Sequence, residues 1–323
     1  MTSYNWGIVG TGWIAHDMGE VLAKRDGEIY GVCGSSLVKA KEFAKEYPVK
    51  MVYSDLDDML ADPHIDIVYI ATPHNLHYAM IKAALLKGKH VFCEKAITVN
   101  SQQLEECVNI ANEKQLVLSD GVTLFHMPLY KKLRQVVQSG KLGKVKMIQV
   151  NFGSLKEYDV NSRFFSKELA GGALLDIGVY AVSFARYFMT SQPEVILTSV
   201  EYFETGVDES SGIILKNQEG EMGVIALTMR AKQPKRGVIA CEHGYIEINE
   251  YPRADEAKII YTNTGETEVI KLGDSKEALH YEVLDMENYI STKTGAENLQ
   301  MIQDVMTILT KVRQEWGMVY PFE

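Results

Sequence analysis

Cysteine is scarce in this chain. Only Cys33, Cys93, Cys107 and Cys241 occur in 323 residues, and no two form a C-x-x-C pair. That argues against a disulfide framework or a zinc ribbon and fits a reducing, cytoplasmic setting. Long apolar runs are missing too: no window approaches about 18 uncharged apolar residues, so no membrane span is expected. The opening M-T-S-Y-N-W-G-I-V-G lacks a basic region followed by an apolar stretch, and no signal peptide is read there. Dense Lys/Arg clusters are absent, and the net charge is −10. A nucleic-acid binder would need a basic face, so none is expected. Nor is there a repeat or a low-complexity tract. What is present is length enough for two domains and a hydrophobic share of 46%, ample for real cores. The expectation is a soluble enzyme acting on a small molecule.

Residues 1–120 alternate two periods. Apolar, strand-like runs at 5–10, 29–34, 65–73, 90–94 and 116–119 are separated by helical patterns at 15–24, 37–47, 77–87 and 101–114, with Ser101 as N-cap and Gly88 as a helix stop. Strands alternating with helices imply βαβ units and an α/β, doubly wound parallel sheet of the Rossmann kind. From 121 to 323 the rhythm changes to an α+β domain. After a helix at 129–139, a strand at 144–152 and a helix at 178–188 come strands at 195–203, 212–216, 222–229, 237–241, 244–248 and 257–261. Two helices, about 276–291 and 298–316, follow. The connectors 217–221 and 242–244 read as hairpin turns, so this large sheet should be mostly antiparallel and open.

G-T-G-W-I-A (10–15) fits the G-x-G-x-x-G/A fingerprint between a strand and a helix. Gly10 permits the tight turn, Gly12 lets a diphosphate approach the backbone, and Ala15 lets the helix pack on the sheet. Thr11, Trp13 and Ile14 complete the loop, whose helix N-terminus faces the phosphates. Roughly 20 residues beyond such glycines an acid would accept from the adenosine 2′-hydroxyl and repel a 2′-phosphate. Here C-G-S-S-L-V-K-A-K (33–41) offers no acid. Ser35, Ser36, Lys39 and Lys41 favour NADP(H) over NAD(H), unless both lysines merely solvate a helix face.

Ligands of doubly wound sheets sit beyond the carboxyl ends of the strands. Two further strand ends, A-T-P-H-N-L-H (71–77) and C-E-K-A (93–96), belong to the same half of the chain. Thr72, Pro73, Asn75 and His77 are candidates to line the cofactor. Glu94 can accept from its amide or ribose. Lys95 can hold a substrate oxygen or pass it a proton. The plain alternative is a solvated Glu-Lys pair on a loop. Histidines 74, 77 and 126 form no H-x-x-x-H or Cys/His cluster, so no metal is expected.

These three motifs, in this order, resemble the glucose–fructose oxidoreductase / inositol dehydrogenase (Gfo/Idh/MocA) family, whose signature is an E-K-P tripeptide. The segment R-F-F-S-K-E-L-A-G-G-A-L-L-D-I-G-V-Y-A-V (163–182) resembles the family's G-G-G-x-L-x-D-x-G segment. The final Y-P-F-E (320–323) is similar to the branch containing dimeric dihydrodiol dehydrogenase and NADP-dependent D-xylose dehydrogenase. The resemblance implies that Lys95, Asp176 and Tyr180 form the reaction centre, with Tyr180 standing where many members carry histidine. A tyrosine beside an ammonium could act as acid/base for an alcohol. Asp176 and Tyr180, spaced i, i+4, would share a helix face.

Three departures stand out. Ala96 replaces the proline of E-K-P, which alters rigidity but no reactive group. Phe125 stands where many members have an arginine, which puts an anionic substrate in doubt. Ser162-Arg163 replaces Trp-Arg, leaving Arg163 as a cofactor or substrate contact. The expected activity is hydride transfer between nicotinamide and a CH–OH carbon of a sugar, polyol or cyclic diol. A silent cofactor-binding regulator and a member that recycles tightly bound cofactor are the alternatives. Apolar positions Ile213, Leu215, Val224, Ala226 and Ile239 suggest a homodimer, or a higher multiple, packed through the second sheet.

Overall fold

The structure, a computed structural model, describes residues 4–25 and 29–323. It divides into two compact units, Met1–Gly121 with Leu279–Leu299 and Val122–Ala278 with Gln300–Glu323. The first carries strands β1 (Trp6–Val9), β2 (Ile29–Cys33), β3 (Val49–Tyr53), β4 (Ile67–Ile70), β5 (His90–Cys93) and β6 (Leu118–Asp120) in the order β3-β2-β1-β4-β5-β6. Every neighbouring pair is parallel. Helices α1 (Trp13–Ala23), α2 (Leu37–Glu46), α3 (Leu56–Ala61), α4 (His74–Leu86) and α5 (Ser101–Lys114) connect them. β1, β2 and β4 are buried along their whole length, which is why they read as unbroken apolar runs. The strand order reverses between β1 and β4, so the crevice of this sheet opens beyond their carboxyl ends.

The sequence reading passes over β3 and α3. β3 is the edge strand, and Lys50 and Met51 on it face solvent, so no clean alternation marks it. The cap of α5 is Asn100 rather than Ser101, its side chain accepting from the Gln103 N–H.

The second unit begins with α6 (Pro128–Gln138) and β7 (Val145–Gly153), then a 3₁₀ turn over Lys167–Leu169 and a π-helical turn over Leu174–Gly178 that runs into α7 (Val179–Phe188). By length and composition, Lys167–Phe188 could cross a membrane, contrary to the expectation from the sequence. Most of that window is buried inside the protein, where it is a core helix. Strands β8 (Val195–Tyr202), β9 (Asp208–Lys216), β10 (Met222–Thr228), β11 (Gln233–Cys241), β12 (Gly244–Asn249), β13 (Glu256–Tyr261) and β14 (Thr267–Lys271) complete the sheet, ordered β14-β13-β12-β11-β7-β10-β9-β8. Only β7 and β10 pair in parallel; the other pairs are antiparallel. β14, an exposed edge strand, gives no periodic signal.

Register decides which residues this sheet leaves open. Ile213 pairs with Ile225 and Ile239 with Ile148, and all four are buried, as is Leu215. Three of the five residues read as an open apolar face therefore belong to the core. A one-residue offset moves a side chain to the opposite face. The other face carries the row Leu197–Ile214–Val224–Gln149–Val238, in which Leu197 is 60% and Ile214 38% exposed.

Two helices close the chain, α8 (Ala278–Thr292) and α9 (Ala296–Glu315). The sequence places all of 121–323 in one unit, yet Leu279–Leu299 groups with the first. Leu279, Val283, Met286 and Ile290 recur at helical spacing and bury one face among Trp6, Ile8, Ile29, Tyr69 and Phe92. Glu287 on the same helix accepts from Trp6 Nε1 at 3.1 Å and Arg25 Nη2 at 2.6 Å.

Candidate active site

In the first unit the carboxyl ends of the strands are tied together by their own backbone. The Gly10 N–H donates to Cys33 O, Ala71 N–H to Val9 O, and Glu94 N–H to Ile70 O, all within 2.8–2.9 Å. Gly10 sits at φ +107, and a Cβ there would stand 2.3 Å from the Ala71 carbonyl oxygen, so only glycine closes this turn. Gly12 is different. It is the N-cap of α1 in extended conformation, and a Cβ would meet nothing within 4 Å. No side chain caps α1 or α4, whereas α2, α3 and α5 are capped by Ser36, Asp55 and Asn100. The first-turn N–H groups of α1 are thus left for an incoming anion, across a space that Gly12 keeps clear. Thr11 and Ile14 flank the loop, and Trp13 is exposed.

Beyond β2, Ser35, Ser36 and Lys39 are all exposed. Ser36 Oγ accepts the Lys39 N–H at 3.3 Å as the cap of α2, which leaves its O–H free to donate. At the end of β4, Pro73 occupies the N-cap position of α4 without a capping bond, and Thr72 O faces His77 Nε2 at 2.8 Å. Asn75 Oδ1 is buried with no hydrogen-bond partner, an acceptor aimed at a group this chain does not supply. An open glycine loop, an uncapped helix end and an orphaned amide oxygen fit a dinucleotide.

Lys95 lies half-buried just beyond β5. Two imidazoles brace its main chain: His74 Nε2 lies 3.0 Å from Lys95 O, and His77 Nδ1 lies 2.9 Å from Ala96 O. The Lys95–Ala96 peptide is cis. Burial pushes the His77 pKa below its ordinary value, the carbonyls of Thr72, Ala96 and Ile97 oppose this, and the Lys95 charge adds to it. Both of its ring nitrogens face main-chain carbonyls, so His77 is a structural histidine. Glu94 is buried and accepts the Tyr69 hydroxyl at 2.5 Å, while Gly121 keeps space beside its carboxylate. Sequence reasoning missed Tyr69, which reads as one more apolar residue of a buried strand.

In the second unit Asp176 stands in the π-helical turn and Tyr180 in the first turn of α7. The i, i+4 pair therefore begins in the wider π geometry, a feature common at functional sites. Asp176 is buried, and Arg163 Nη1 approaches its Oδ1 at 3.8 Å. The same guanidinium lies 4.2 Å above the Phe164 ring, and the Tyr180 ring lies 6.3 Å from that of Phe152. The structure thus gathers Arg163, Asp176 and Tyr180 in one segment. Phe125 is 4% exposed and packs on Tyr187 at 5.7 Å, a core position.

Comparison with known proteins accords with these features. Residues 4–122 match the family model described as an oxidoreductase family with an NAD-binding Rossmann fold, and residues 130–247 match its GFO/IDH/MocA C-terminal domain. The chain is 32% identical to the trans-1,2-dihydrobenzene-1,2-diol dehydrogenase of Xenopus tropicalis over 75% of this chain and 74% of that one. It is 28% identical to the Xenopus laevis protein of the same name over 98% and 99% of the two chains. Its fold superposes on a 3-ketoreductase from Actinomadura kijaniata, solved with NADP and TDP-benzene, with a TM-score of 0.86 at 20% identity over 97% and 98% of the chains. With both halves matching models of one family, this chain belongs to the Gfo/Idh/MocA oxidoreductases.

Proposed function

We propose that the protein is an NADP(H)-preferring dehydrogenase that oxidises a ring hydroxyl of a cyclic diol, sugar or polyol, or reduces the corresponding carbonyl. The observation that carries this reading is the set gathered at the carboxyl ends of β1, β4 and β5: the clear space at Gly12, the orphaned Asn75 Oδ1 and the histidine-braced Lys95. The names of the curated relatives support a cyclic diol. The absence of an acid after β2, together with Ser35, Ser36 and Lys39, supports the phosphorylated cofactor.

When bound at this loop, a nicotinamide dinucleotide would supply the hydride acceptor or donor. The α1 N-terminus and the Gly12 backbone would hold the diphosphate, Ser35, Ser36 and Lys39 the 2′-phosphate, and Asn75 an amide or hydroxyl hydrogen. Tyr180 exchanges the proton: its phenolate takes it from the reacting O–H during oxidation, and its phenol O–H returns it during reduction. The Lys95 ammonium stabilises negative charge on that oxygen, and Asp176, with Arg163, orients the substrate.

The open face of the second sheet, with Leu197, Ile214, Val224 and Val238, is the interface of a homodimer in this reading. The four cysteines, all free, suit a cytoplasmic protein. Turnover measured with NADP(H) and NAD(H) across pentoses, hexoses, inositols and dihydrodiols tests the assignment. Oxidation of at least one ring hydroxyl, with the lower KM for NADP(H), is expected. Cofactor binding without turnover on any substrate would mark a regulator instead.

A further inference from the structure

We propose that Asp208 is a positioning residue for Asp176, holding the Gly172 turn and the first turn of the helix on which Asp176 stands. It lies at the start of β9, outside every motif, and is fully buried. The residue at the helix N-cap, Ala173, has no side chain with which to cap. Asp208 supplies that cap from a distant strand: its Oδ2 accepts the Leu174 N–H at 2.6 Å. Its Oδ1 is buried with no hydrogen-bond partner and stands 2.1 Å from where a Cβ on residue 172 would be. Gly172, at φ +116, is therefore doubly constrained to be glycine. The Asp176 N–H in turn donates to Gly172 O at 3.3 Å, so the Leu174 N–H that Asp208 holds lies inside the turn this bond closes. From the other side the Tyr320 hydroxyl donates to Gly171 O at 2.8 Å.

Burial pushes the Asp208 pKa up to about 7. The N–H groups of Leu174, Asp208 itself and Ala173, and the charge of Arg313, pull the other way. The charged and titratable groups facing it are Tyr320 and, on α9, Arg313, whose guanidinium is clamped by Glu323. Ionised, Asp208 makes a charge-assisted bond at the helix N-terminus, where negative charge is favoured. Protonated, it grips the same N–H more weakly. The turn is thus tightest above neutral pH.

This inference rests on Asp176 belonging to the reaction centre, and the test separates the two. Asp208→Asn keeps the acceptor oxygen and cannot ionise; Asp208→Ala removes the cap; Asp176→Asn is the control. In the wild type kcat should rise through pH 7, and the Asp208→Asn profile should lack that limb. Asp208→Ala should lose roughly 10- to 100-fold in kcat, as misplacement of a reacting group does. NADPH affinity by fluorescence should stay within about twofold. If Asp208→Ala does not fold, the Asp208→Asn profile decides. A profile for Asp208→Asn that superimposes on the wild type, with Asp176→Asn impaired, overturns the positioning role alone. An unimpaired Asp176→Asn removes the site assignment and this role together.

Discussion

Gly10 and Gly12 are two residues apart, and the same substitution at each should fail in opposite ways. At Gly10 an alanine must adopt φ +107 with its Cβ 2.3 Å from the Ala71 carbonyl oxygen. The backbone conformation costs about 1–3 kcal/mol and the overlap about as much again, so Gly10→Ala should destabilise by about 2–6 kcal/mol. That corresponds to a Tm lowered by upwards of about 5 °C. At Gly12 the backbone is already extended, and a Cβ meets no atom within 4 Å. The fold should lose at most about 1 kcal/mol, the difference between glycine and alanine at an N-cap. The methyl would instead occupy the approach of the diphosphate to the α1 N-terminus. Losing one hydrogen bond to a charged group costs about 1.5–3 kcal/mol, or roughly 10- to 150-fold in Kd. Thermal melts by circular dichroism and NADPH titration by fluorescence read the two effects separately. Equal losses of Tm in both variants, or an unchanged Kd in Gly12→Ala, would refute the assignment of the loop.

Three further outcomes follow from the same geometry. Lys39→Glu should weaken NADP(H) by about tenfold or more and leave NAD(H) within about twofold, since one charge contact of about 1.4 kcal/mol is replaced by repulsion; equal effects on both cofactors contradict a 2′-phosphate site. Light scattering at micromolar concentration should return twice the chain mass of 36.3 kDa, and Leu197→Asp with Val224→Lys should return the single mass; a wild-type monomer contradicts the sheet interface. Burial keeps His77 and His90 below the ordinary histidine value, so the unfolded chain binds protons that the native state refuses. Their stabilisation is present above about pH 6.5 and lost as pH falls. Melts of wild type and His77→Gln at pH 7.5 and 5.5 should therefore show a gap that narrows in acid, and a gap that widens is the contrary result.

The first unit was legible because its strands are buried on both faces and its glycines do physical work visible in spacing alone. The edge strands β3 and β14 were not, since exposed side chains blur alternation. The facing of β9 and β11 was misread for a related reason: both faces of the second sheet carry apolar residues, so parity could not be fixed without the pairing partners. Helix α8 has a clear apolar face, but the core that covers it lies nearly two hundred residues or more away in the chain. Among the candidate residues, Lys95, Asp176 and Tyr180 came from motifs, whereas Tyr69 and Asp208 meet carboxylates or main-chain atoms that only the folding of their own units brings near. Phe125 came from a position in a motif, and its surroundings turned it into core.

The proposed function requires that Lys95 and Tyr180 carry the chemistry and leave cofactor binding to the glycine loop. The most direct measurement is kcat on the best substrate beside NADPH Kd for Lys95→Ala and Tyr180→Phe. Loss of the ammonium should lower kcat by about 10²–10³, the usual size of a preorganised electrostatic contribution. Loss of the hydroxyl should lower it by about 10²–10⁴, as removal of an acid/base does. Kd should stay within about threefold of wild type in both. Near-normal kcat in Lys95→Ala, or a collapse of cofactor affinity that accounts for the lost activity, would contradict the claim.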